Sequence, residues 1–219
     1  MFDEPFFPFQ SLASDLLACQ AYSSDGSHDL SHIHRVWVNV RRLQEKEGGD
    51  LEILLAATLL HDCVAVEKNS PLRAQASTLS AEHAASILRG IGWAASRIER
   101  VAHAVKAHSF SAGIEPLTIE AKILQDSDRL DAIGMVGVAR CFYVAGRMGS
   151  ALYDFTNPSA TGRDYEDNRF ALEHFHTKLL TLASGFQTTE GARLASVRQA
   201  RLKGFLEGFL DEIGAPLPS

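Results

Sequence analysis

The sequence has little of what marks several protein classes. Its three cysteines, Cys19, Cys63 and Cys141, are scattered and odd in number, which argues against a disulfide framework and suits a reducing cytosol. Lysine and arginine total 21 against 27 aspartates and glutamates, a formal charge of -6. That shortage of cations argues against non-specific binding to a nucleic-acid polymer, which relies on clustered basic side chains. It leaves room for a small anionic substrate, because one bound cation reverses the local field of an acidic protein. No apolar run approaches the ~20 residues that span a bilayer. The start, Met1-Phe-Asp-Glu-Pro-Phe-Phe-Pro-Phe9, lacks the basic region of a secretory leader. A cytoplasmic protein without membrane association is therefore expected, its early phenylalanines docked on the domain surface. Strand-like alternation, internal repeats and low-complexity linkers are also missing.

What is present is helical periodicity. Segments are expected over about 11–22, from near Asp29 to Gly48-Gly49, from Asp50 through Leu60, and over about 80–89, 95–108 and 118–132. Asp29 and Asp50 are placed as N-caps. Gly134 and Gly137 are expected to tighten packing where a further helix begins, ending near 146–149. An irregular stretch over 152–167 could close over a site, and two helices, about 168–182 and 188–213, finish the chain. The expectation is one all-α domain over 1–219, with a functional core at about 28–132 and C-terminal helices from 133 completing the fold.

One feature of this pattern carries chemistry. The apolar run Leu51–Leu60 ends in His61-Asp62. An imidazole and a carboxylate at the end of such a segment are costly to bury unless their charge is compensated. A divalent cation accepts both a neutral ring nitrogen and a carboxylate oxygen. His32 and Asp128 are of the right type to join the pair, but the four are far apart in sequence, so any site depends on tertiary convergence of helices. Asp126 and Asp131 compete with Asp128. On a helix, 126 and 128 differ in direction by about 200° and cannot both face one small site. Cys63, next to the pair, is read as a small residue behind the site in preference to a ligand.

Four segments in order, Asp29-Leu-Ser-His-Ile-His-Arg-Val36, Leu60-His-Asp62, His103-Ala-Val-Lys-Ala-His-Ser-Phe-Ser111 and Glu120-Ala-Lys-Ile-Leu-Gln-Asp-Ser-Asp-Arg-Leu-Asp-Ala132, resemble the HD-domain metal-dependent phosphohydrolases, in particular their small single-domain bacterial branch. The resemblance continues through Arg163 and Ala171-Leu-Glu-His-Phe175. It implies a helical HD-domain fold and, as metal ligands, His32, His61, Asp62 and Asp128. It also implies one divalent ion per chain (Mn, Mg, Co, Ni, Zn or Fe). His83 and His108 formally extend the pattern to one that holds two metals in some branches and, in a few, supports oxygenase chemistry.

The implied activity is hydrolysis of a phosphoester or phosphoanhydride bond in a small phosphorylated metabolite, most plainly a nucleotide, by metal-activated water. Asp62 is expected to bond the attacking water, and His108 to protonate the leaving group or grip phosphate. Lys68, Arg73 and Ser77, in and just after the loop that follows the pair, suit phosphate oxygens, and Arg163 could fold over the substrate. His103 is left open between a role in the cleft beside His108 and a packed place behind the site, and Glu82 between an acid or base and a surface position. The alternatives are a metal- and nucleotide-binding signalling module without turnover, and a di-iron oxygenase.

Overall fold

Asp29 and Asp50 each start a helix by the same local device. The Asp29 carboxylate accepts the backbone N–H groups of Ser31 and His32, and that of Asp50 accepts those of Glu52 and Ile53. Each satisfies donors that a helix N-terminus leaves free. The computed structural model describes residues 6–19, 29–66 and 72–215, except for the side chain of Arg73. Among these residues there are nine α-helices and no β-strand. They are α1 (Gln10–Ala18), α2 (Leu30–Glu47), α3 (Leu51–Leu60), α4 (Ala76–Gly90), α5 (Ala95–Ala107), α6 (Ile119–Asp131), α7 (Gly134–Met148), α8 (Glu173–Thr177) and α9 (Thr189–Glu212). Short 3-10 turns lie at Arg73–Gln75, Phe110–Ala112 and Leu179–Thr181. No described helix is long and apolar enough to cross a membrane.

Contacts divide the chain into two compact units. One runs to Arg129 and takes in Gln187–Gly191; the other comprises Leu130–Phe186 and the chain from Ala192. In the first unit α3 is the central element. Every residue from Ile53 to Leu60 is buried, and α1, α2, α4 and α5 all pack on it. A helix that is apolar all round has no solvent face and must be enclosed. By contrast α2 buries a single stripe, Ile33, Val36, Trp37, Val40 and Leu43, at the spacing of one helix face. Phe6 is buried beside Trp37 and His34, so part of the early phenylalanine cluster does dock. The expected start of α4 at Ser80 is one turn late, since the helix already begins at Ala76.

In the second unit, Phe142, Phe175, Phe205 and Phe209 form an aromatic cluster. The α7 entry tightens as expected: a Cβ on Gly137 would lie 2.3 Å from the Ala132 carbonyl oxygen. The helix expected over 168–182 is not formed as such, and only Glu173–Thr177 is α-helical there. Ala151 and Phe170 make an isolated bridge, and the N–H groups of Ala171 and Leu172 donate to the carbonyls of Ala151 and Leu152. Those donors are spent on a distant segment, so the helix starts late and stops within two turns.

Candidate metal centre

Two helices end on a histidine in the same way. His61 is the C-cap of α3, and its Nδ1–H donates to the Thr58 carbonyl at 2.7 Å. His108 is the C-cap of α5, and its Nδ1–H donates to the Val105 carbonyl at 2.6 Å. The last carbonyls of a helix have no intrahelical donor, and a histidine three residues on can supply one. The bond sets the tautomer and turns Nε2 outward. This arrangement was not anticipated from the sequence, although its signal was there: a histidine where an apolar helical run stops.

The outward nitrogens converge. His61 Nε2 lies 3.2 Å from His32 Nε2, which α2 carries in its first turn. Asp128 Oδ1, from α6, lies 3.5 Å from His32 Nε2. His32, His61 and Asp128 offer ligand atoms all within 4.8 Å of one another. Asp62 completes the surroundings, with Oδ2 at 3.6 Å from His61 Nε2 and Oδ1 at 3.5 Å from His108 Nε2. The three imidazoles are buried, whereas the Asp62 and Asp128 side chains are 49% and 29% exposed. The rings form a floor and the carboxylates an open mouth.

Electrostatics follow from this layering. Burial holds His61 below its ordinary imidazole value, which keeps its Nε2 lone pair available. Desolvation opposes the charge of Asp62, yet His61 and the hydrogen bond from His108 outweigh it and hold the carboxyl well below the usual range. Burial likewise opposes protonation of His108, but Asp62 carries that imidazole up to about 8. The His61 Nε2 lone pair facing the His32 Nε2, with carboxylate oxygens beside them, offers the nitrogen and oxygen donors that a divalent transition metal or related cation takes. The residues fit such an ion.

A family model, the HD domain, matches residues 29–133. A curated relative, the uncharacterized protein YpgQ of Bacillus subtilis (strain 168), is 33% identical over 195 residues, covering 87% of this chain and 85% of its own. The crystal structure of B. subtilis YpgQ in complex with ADP is similar at a TM-score of 0.70 and 32% identity, over 92% of this chain and 97% of that one. The crystal structure of an HD-superfamily hydrolase from Bacillus thuringiensis is similar at a TM-score of 0.69 and 30% identity, over 94% and 95% of the two chains. The chain belongs to the HD-domain superfamily. Its matched segment contains His32, His61, Asp62 and Asp128, which is where the cluster lies.

Asp126 turns away from Asp128, as the helical angle requires. It is fully buried and accepts the N–H groups of Gln187 and Thr188 and the Thr188 hydroxyl. Asp131 pairs with Arg140 of α7 at 2.8 Å. His103 is spent on the loop after α5, where its Nε2 accepts the Leu117 N–H at 3.0 Å. His83 and Glu82 are exposed on α4, and His83 is outside the three-residue group. Cys63 is half-buried, its thiol pushed up to about 11 by burial and donating to the Ser80 carbonyl. Ser77 is buried at the start of α4, and its hydroxyl finds no hydrogen-bond partner among the described residues. Arg73 begins the 3-10 turn before α4, while Lys68 lies outside the described residues. Arg163 belongs to the second unit, where it donates to Glu173 at 2.5 and 2.9 Å and to Asp154 at 3.1 Å.

Proposed function

We propose that this protein is a metal-dependent phosphohydrolase that cleaves a phosphoester or phosphoanhydride bond of a small phosphorylated metabolite, a nucleotide above all, by attack of water. The observation that carries the reading is the pair of Nε2 atoms of His32 and His61 at 3.2 Å, with the half-open carboxylates of Asp62 and Asp128 beside them. Membership of the HD superfamily supports it. So do the relative named as an HD-superfamily hydrolase and the complex of YpgQ with ADP.

In this reading His32, His61, Asp62 and Asp128 hold one divalent ion (Mn, Mg, Co, Ni, Zn or Fe). When bound, the ion polarises the phosphoryl oxygens and makes water more acidic. Asp62, exposed at the mouth, accepts a hydrogen bond from the attacking water and orients it. The water oxygen bonds to phosphorus as its proton passes through Asp62 to solvent, the bond from phosphorus to the leaving oxygen breaks, and His108 Nε2 delivers a proton to that oxygen. The Val105 carbonyl holds the His108 ring in place throughout, which limits the reorganisation the step requires. Ser77, whose buried hydroxyl has no partner among the described residues, contributes a bond to phosphate with Lys68 and Arg73.

The test is release of phosphate or pyrophosphate from a panel of nucleotides and phosphomonoesters, after loading with each cation in turn and with Asp62→Ala alongside. Cation-dependent release that the variant loses supports the reading, and the product identifies the bond cut. Tight retention of cation and nucleotide with no product from any panel member would instead describe a binding module.

A further inference from the structure

The two segments that carry His108 and Asp128 touch again one step outside the centre. Phe110 lies two residues beyond His108, in the 3-10 turn Phe110–Ala112, and Arg129 follows Asp128 directly. The Arg129 guanidinium carbon sits 4.0 Å from the centroid of the Phe110 ring. Arg129 is buried at 5% exposure, whereas Phe110 is 52% exposed. The ring therefore rests with one face on a buried planar cation and keeps much of its remaining surface in water. Such a contact is an attractive cation–π pair, and it holds the ring in one orientation. A ring already fixed loses little freedom when something stacks on it.

We propose that Phe110 is the stacking platform for the nucleobase of a nucleoside phosphate whose phosphates occupy the neighbouring centre, an inference that rests on the function proposed above. Two residues of chain reach at most about 7 Å, so the platform lies within a ribose-sized span of His108. Ser109 and Ser111, which flank Phe110 in sequence, add exposed hydroxyls to the same turn, 3.2 Å from each other. Every base has a π-face, so stacking of this kind tolerates purines and pyrimidines alike. The expected specificity is broad in base and strict in the need for one.

The experiment is calorimetric titration of the Mg²⁺-supplied protein with α,β-methylene-ADP, and separately with methylenediphosphonate, which has the bridged phosphates and no base. Phe110→Leu keeps an apolar cover over Arg129 without a ring; Phe110→Trp enlarges the platform. Phe110→Leu is expected to weaken α,β-methylene-ADP about tenfold or more and to leave methylenediphosphonate unchanged. Phe110→Trp should bind the nucleotide at least as well as the wild type. Adenine H2 and H8 should shift upfield on binding to the wild type and not to Phe110→Leu. Equal nucleotide affinity in wild type and Phe110→Leu overturns the proposal, as does an equal loss for both ligands. In either case wild-type nucleotide binding leaves the proposed function standing. A wild type that binds methylenediphosphonate and no nucleotide overturns both the platform and the nucleotide reading.

Discussion

His32 and His61 present their Nε2 atoms to each other at 3.2 Å, although the other ring nitrogen of His61 already donates to the Thr58 carbonyl. With His61 in that tautomer, its Nε2 is a lone pair. Two nitrogens this close require either a proton or a cation between them. The carboxylates alongside favour the cation, since they add oxygen donors and balancing charge.

The first prediction concerns stability. An ion that binds only the folded chain stabilises it by about 2.7 kcal/mol at a hundredfold excess over its dissociation constant. Saturating Mn²⁺ or Zn²⁺ should raise Tm and chelation should lower it. Asp128→Asn and His32→Ala should abolish the ion-dependent part. Scanning calorimetry with metal analysis checks this, and an undiminished shift in both variants would show that the ion sits elsewhere.

His83 bears on the number of ions. It is exposed on α4 and outside the group formed by His32, His61 and Asp128. His83→Ala should leave the metal content of the loaded protein at one ion per chain. Loss of an equivalent, measured by inductively coupled plasma analysis, would mean that a second ion had been present.

Gly191 tests the seat of Asp126. A Cβ there would lie 2.5 Å from Asp126 Oδ2 and 2.6 Å from Thr188 Oγ1, both held by mutual hydrogen bonds. Alanine is worth up to ~1 kcal/mol over glycine inside a helix, but crowding a filled site costs roughly 1–3 kcal/mol. Gly191→Ala should therefore destabilise, lowering the urea midpoint with an unchanged m-value. A gain in stability would show that the carboxylate has room to move.

Glu120 tests acid sensitivity. Burial opposes its charge, but the Asp50 N–H and the Arg100 guanidinium outweigh it, and its carboxyl lies below the ordinary 4.5. A depressed folded value means stability that is present above about pH 4.5 and lost as pH falls through the folded value. Glu120→Gln should cost roughly 1–3 kcal/mol at neutral pH and flatten the acid limb. Urea midpoints from about pH 7 down to 3 decide it: a wild-type advantage that stays constant across that range would rule the linkage out.

Much of the molecule was legible in local pattern. The caps at Asp29 and Asp50, the enclosed α3 run and the single apolar stripe of α2 all follow from interactions within a turn or two. The same holds for the opposed directions of Asp126 and Asp128, which the helical angle alone dictates. The broken helix near 168–182 was not legible, because its N–H groups bond to Ala151 and Leu152, and no periodicity records a bridge between segments.

The sequence by itself determined that the described residues are all-helical and that His61 and Asp62 end an apolar helix, and its resemblance pointed to His32 and Asp128 as their companions. Only the tertiary structure decided how those groups meet: the 3.2 Å approach of two ring nitrogens, the carbonyl bonds that aim them, the attachment of His103 to Leu117, and the seating of Phe110 on Arg129. The physical reason is range. Helix formation and capping are settled by neighbours along the chain, whereas a site assembled from four helices is set by how their buried faces fill space.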